Sequence, residues 1–123
     1  MEETQNKIKD FNDLRGWSDH GSIKDLLLNM NEEIGEFWNL IKWVNVEKQK
    51  ELIKNNKTLC EDFIGDMIYL ILKISYLCDV NSKKSINDVM AEYEQRFPIE
   101  KVKGSHANVK AGGIDLKYQN KDS

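Results

Sequence analysis

Apolar residues recur at helical spacing in four successive stretches of this chain, and polar residues mark where each one stops. Residues 4–15 carry Ile8, Phe11 and Leu14 at i, i+3, which predicts a short helix. The second stretch, 23–45, has apolar residues at 23, 26, 27, 30, 34, 37, 38, 41 and 44, a sustained 3.6 period. Ser22 stands before it as an N-cap, with Asp25 completing an approximate capping box. Residues 46–57 are highly charged and predict a linker or a short exposed helix. Thr58 is placed to cap a helix over 59–79, where Phe63, Ile64, Met67, Ile68, Leu70, Ile71, Leu72 and Ile74 cover almost the whole circumference. That distribution describes a central helix. Asn81 and Ser82 then cap a helix over 83–96 with Ile86, Val89, Met90 and Tyr93 on one face, and Phe97-Pro98 stops it. The expected fold class is all-α, a helical hairpin with flanking helices.

Composition narrows this picture. The chain has 123 residues, enough for one core, and a single proline, without the regular turn signals of a β-sandwich. A domain over 1–98 and a Lys/Gly-rich tail over 99–123 are expected. From 96 to 118 five basic residues (Arg96, Lys101, Lys103, Lys110, Lys117) face two acidic ones, Glu100 and Asp115, a balance suited either to closing over an anion or to a disordered terminus. The net charge of −3 argues against non-specific nucleic-acid binding. Asp66, Lys73 and Asp79 interrupt the longest apolar run, so no membrane span is expected. The acidic, polar opening Met1-Glu2-Glu3 has no basic or apolar leader pattern, so no secretory signal is expected. Cys60 and Cys78 fall on one predicted helix, roughly 27 Å apart at its rise per residue, too far to bridge. Two free, buried thiols fit a reducing cytoplasm.

The candidate chemistry is acidic. In the second helix Glu32, Glu33 and Glu36 project from neighbouring positions, at i, i+3 and i, i+4. Glu33 sits at the border of the apolar stripe, while Glu32, Glu36 and Trp43 group on the opposite side. Taken alone, this cluster reads most simply as a solvated face. On the 59–79 helix, however, Asp62, Asp66 and Lys73, with Tyr69 beside them, fall in a stripe about 60° wide. Carboxylates on a helix that is otherwise apolar need a cation, hydrogen bonds or protonation. Two antiparallel helices, each with a pair of acids one turn apart, can enclose a hard divalent ion such as Mg²⁺. The usual roles of Trp17 and His20 are packing anchor and surface residue.

With both acidic helices placed, the chain resembles the MazG-like, all-α nucleoside triphosphate pyrophosphohydrolases, relatives of the all-α dUTPases and dCTP pyrophosphatases. The resemblance rests on Glu32-Glu33-Ile34-Gly35-Glu36 and on Asp62-Phe63-Ile64-Gly65-Asp66-Met67-Ile68-Tyr69-Leu70. It extends to Trp17 and His20 before them, to Trp43, and to Arg96-Phe97-Pro98 with Lys103-Gly104 at and after the end of the 83–96 helix. A further similar piece is Gly112-Gly113-Ile114-Asp115-Leu116-Lys117-Tyr118. The order of these pieces across 11–104 is far more specific than one E-E-x-x-E.

The resemblance implies a homodimer or homotetramer built from four-helix bundles, and conversion of a nucleoside triphosphate to its monophosphate and pyrophosphate. It implies Mg²⁺, with Mn²⁺ as a substitute, held by Glu33, Glu36, Asp66 and, in place of a family glutamate displaced by Phe63, Asp62. Glu32 or Glu36 would activate water. Substrate contacts would come from Trp17, His20, Trp43, Tyr69, Lys73, Arg96 and Lys103. Phe63, Val89 and Tyr93 depart from the pattern and support an alternative, a nucleotide-binding or regulatory module with weak or no catalysis. A di-iron bundle needs Glu-x-x-His on its helices, and His20 and His106 lie outside the predicted ones.

Overall fold

The computed structural model describes residues 1–19 and 22–103. Among these, all regular structure is helical, as expected: α1 (Glu2–Leu14), α2 (Ile23–Ile41), α3 (Val46–Asn55), α4 (Lys57–Leu77), α5 (Ser82–Arg96) and α6 (Ile99–Val102). No helix of the described residues is long and apolar enough to cross a membrane. The chain divides into two compact units, Met1–Ser82 and a second that begins at Lys83.

The first unit is built on α4. Phe37 stacks on Phe63, and Glu33 meets Asp66, so α2 and α4 run antiparallel. Among its described residues, Leu26, Leu70 and Leu72 are the buried apolar side chains. On its other flank α4 holds α1 through polar bonds. The Tyr69 hydroxyl donates to Asn12 Oδ1 (3.0 Å), and Asn12 is fully buried. Ser18 joins Tyr76 (3.2 Å) and also bonds Asp13. Gln5 Nε2 donates to the Val80 carbonyl at 2.8 Å, and Gln5 Oε1 accepts from the Ser82 amide at 2.9 Å.

This corrects the expected face of α1. Phe11 and Leu14 are exposed, and the packed side is Gln5, Ile8 and Asn12. An apolar count does not find a face whose polar side chains are buried because they are hydrogen-bonded. Gln5→Ala leaves a backbone donor and a carbonyl unpaired together, so it is expected to cost about 1–3 kcal/mol in urea unfolding.

Local chemistry places the helix ends. At the end of α1, Gly16 takes φ 66° while its amide donates to Asp13 and that of Trp17 to Asn12, a Schellman motif. Asp79, at φ 56°, closes α4 in the same way, with Val80 N bonded to Ser75 O. The second helix stops at Ile41 rather than at 45, because Asn45 caps α3 by accepting from the Lys48 amide. The charged stretch is therefore a helix of its own. Thr58 lies inside α4, which begins one residue after Asn56. Ser22 does occupy the N-cap of α2, but its side chain makes no capping bond.

Periodicity also overstated burial. Leu27, Ile34 and Trp38 of α2 and Ile64, Ile68 and Ile71 of α4 are exposed. At about 100° per residue both sets lie on the same face of the α2/α4 hairpin. Both cysteines are free, as expected, but Cys60 is half-buried and Cys78 exposed. In the second unit Tyr93 packs against Phe97, their ring centres 5.8 Å apart.

Candidate functional site

The acids of α2 and α4 meet on the hairpin face opposite the exposed apolar one, about 180° around the helix pair. Glu33 is their centre. Partial burial raises its pKa above the ordinary value of 4.5, and the negative charges of Glu36, Asp66 and Asp62 raise it further, with a hydrogen bond to Asp66. Glu33 and Asp66 are half-buried, while Glu36 and Asp62 are exposed. Glu33, Glu36 and Asp62 line a small cavity of about 80 Å³ whose other walls are Phe37, Phe63 and Leu59. The stacked rings have centroids 4.6 Å apart and an interplanar angle of 16°.

This donor set is all oxygen, and its charges oppose one another, which is the chemistry of a hard divalent cation site. Among the described residues, however, no group of three acidic, histidine or cysteine side chains is arranged to hold a metal ion. The helices bring the carboxylates into mutual electrostatic range. Converging on one ion takes side-chain rotation, which the exposed Glu36 and Asp62 have the freedom to make.

The other candidates are distributed unevenly. Glu32 is exposed, does not line the cavity and is not among the groups that perturb Glu33. Trp17 is 50 % exposed and meets Phe11 edge-on, with centroids 5.9 Å apart, while the Arg15 guanidinium covers the Phe11 ring at 3.7 Å. Trp43 is 84 % exposed in the turn after α2. Tyr69 is committed to Asn12. Lys73 is buried and presents only 8 % of its surface. Arg96 belongs to the second unit, where it pairs with Glu92 at 3.5 Å, and Lys103 follows α6 there. His20 lies outside the described residues.

Sequence reasoning missed the Phe37–Phe63 pair. Its signal was present: each phenylalanine immediately follows a candidate ligand, Glu36 or Asp62.

Removing the charge at the centre has a measurable consequence. A carboxyl that ionises less readily in the folded chain than in the unfolded one penalises the folded state as pH rises above 4.5 and through its raised folded value. Glu33→Gln is therefore expected to melt higher than wild type at pH 7 without metal, with the difference vanishing below pH 4.5. A lower melting temperature at pH 7 would contradict this placement of Glu33.

The fold and site define a class: an all-α protein with an acid-lined pair of antiparallel helices. No family model matches the chain, and no curated protein matches it. Among solved structures it is similar to a pyrophosphatase from Archaeoglobus fulgidus, with 23 % identity and a TM-score of 0.69, over 80 % of this chain and 92 % of that one. At this identity the likeness is one of fold.

Proposed function

We propose that this chain is a Mg²⁺-dependent nucleoside triphosphate pyrophosphohydrolase that forms a monophosphate and pyrophosphate, in the manner of the MazG-like enzymes. The observation that carries the reading is Glu33, partly buried and under the simultaneous charge of Glu36, Asp66 and Asp62 from two helices. A fold shared with a protein described as a pyrophosphatase supports it.

In this reading Glu33, Glu36, Asp62 and Asp66 hold Mg²⁺, or Mn²⁺ in its place. The bound ion supplies charge neutralisation for the triphosphate and acidifies water. Glu36, exposed at the cavity mouth, accepts a proton from water attacking the α-phosphorus, with Glu32 as the alternative base. Trp17 and Trp43 offer exposed aromatic faces for the base. Arg96, Lys103 and His20 are candidate phosphate contacts, whereas the burial of Lys73 and the Asn12 bond of Tyr69 give those two a positioning role. The exposed apolar face of the hairpin is where a second copy docks, giving a homodimer or a tetramer made of two dimers. The setting is cytoplasmic, without nucleic-acid or membrane partners.

The second reading, a nucleotide-binding module without turnover, is favoured by Phe63 in the motif and by the absence of a converged ligand set among the described residues. A panel of NTPs and dNTPs, with and without Mg²⁺, separates the two when pyrophosphate and orthophosphate are assayed independently. Pyrophosphate with matching monophosphate is expected. Nucleotide-dependent thermal stabilisation with no product would favour the binding module.

A further inference from the structure

We infer that two tyrosine hydroxyls of α4 hold Trp17 as a preset aromatic platform for the nucleotide base, which makes Asn12, Ser18, Tyr69 and Tyr76 positioning residues. The inference rests on the pyrophosphohydrolase reading above. Gln5 bonds the Val80 carbonyl and Asn12 takes the Tyr69 hydroxyl, so α1 runs antiparallel to α4. Extended at about 1.5 Å per residue, that register carries the end of α1 level with Asp66. Tyr69 and Tyr76 leave α4 about 60° and 80° around from Asp66, both toward the α1 flank.

Trp17 lies between the two anchors. Tyr69 donates to Asn12 Oδ1 at 3.0 Å, and the carbonyl of the same Asn12 accepts the Trp17 amide at 2.9 Å. Asn12 Nδ2 donates to the Ile8 carbonyl at 2.9 Å, which fixes the end of this fully buried side chain that faces Tyr69. Ser18, the next residue after Trp17, gives its one hydrogen to Asp13, so Tyr76 is the donor in the 3.2 Å contact between the two hydroxyls. Burial raises the Tyr76 pKa, against the Ser18 bond and with the charge of Asp13, which keeps that proton in place at neutral pH. The chain is thus tied to the helix of Asp66 on both sides of one residue, whose ring meets Phe11 edge-on and is still 50 % exposed. A half-exposed ring held in this way offers a face on which a flat ligand stacks. Ordering it beforehand lowers the cost of binding, so its loss falls on KM and not on kcat.

The test uses the full chain labelled with 5-fluorotryptophan, with the Trp17 signal assigned by Trp17→Phe. Fluorine NMR without nucleotide is read beside kcat and KM for the best substrate of the panel. In the double variant Tyr69→Phe with Tyr76→Phe, the Trp17 signal is expected to move toward that of free 5-fluorotryptophan. KM is expected to rise about tenfold while kcat stays within about threefold of wild type. Trp17→Ala is expected to raise KM by as much, and adding Tyr69→Phe to it to change KM less than about twofold, because the tyrosine acts through the ring. If the double variant does not fold, Ser18→Ala and Tyr76→Phe, which lie nearer the surface, decide by the same readouts. An unmoved Trp17 signal with wild-type KM in a folded variant would overturn the inference and leave the pyrophosphohydrolase reading intact. So would a loss confined to kcat, or fully additive effects on KM in the Trp17→Ala background. A wild-type chain that turns over no nucleotide would remove that reading and, with it, the inference.

Discussion

Asp66→Ala and Glu36→Ala are each expected to lower Mg²⁺-dependent turnover by about 10³-fold or more, since in the proposed reading each would supply an oxygen donor to the ion that offsets triphosphate charge. What distinguishes this loss from simple damage is its thermodynamic sign. Asp66 and Glu36 both push the Glu33 pKa upward, so in the metal-free protein either carboxylate opposes folding at neutral pH. Their removal is therefore expected to leave the metal-free melting temperature unchanged or higher, with helicity by circular dichroism intact. Mg²⁺ should then stabilise wild type and not the variants. A variant that loses turnover and melts well below wild type would point to a structural role instead. Full turnover in either variant would remove it from the ligand set.

The second large effect concerns assembly. Among the described residues three leucines make up the buried apolar core, whereas Ile34, Trp38, Ile64, Ile68 and Ile71 stand on one exposed face. Such a face is what a two-fold interface needs, because each copy presents the same residues to the other. Burying an isoleucine side chain contributes roughly 1.5–3 kcal/mol, and symmetry doubles the effect of each substitution. Ile68→Glu is accordingly expected to weaken self-association by at least about 10²-fold, since it also places two like charges in the interface. Sedimentation equilibrium reads this as a change from dimer or tetramer to monomer at micromolar concentration. A wild-type chain that is monomeric there, or an Ile68→Glu variant that assembles normally, would contradict the docking face.

What could be read from the sequence, and what could not, follows from how each element is stabilised. The acids of α2 and α4 were legible because apolar periodicity fixes both the helix and the angle at which each carboxylate leaves it. The pairing of Glu33 with Asp66 then follows from an antiparallel hairpin. The packed face of α1 was hidden because Gln5 and Asn12 are held there by hydrogen bonds, which hydropathy does not score. The end of α2 was hidden because Asn45 reads as a helix continuation until its side chain is seen capping α3. Apolar pattern alone also does not say whether a residue is buried by its own chain or by another copy, so α4 looked central on every side. The Phe37–Phe63 stack was concealed for a related reason: an aromatic beside an acid in a helical stripe reads as core, and only the partner helix shows the two rings stacked on each other.

The most direct measurement is Mg²⁺-dependent hydrolysis of a nucleoside triphosphate in ¹⁸O-water, with products resolved by mass spectrometry. Attack on the α-phosphorus predicts ¹⁸O in the monophosphate and none in the pyrophosphate. Label in the pyrophosphate, or labelled orthophosphate as the product, would contradict the account.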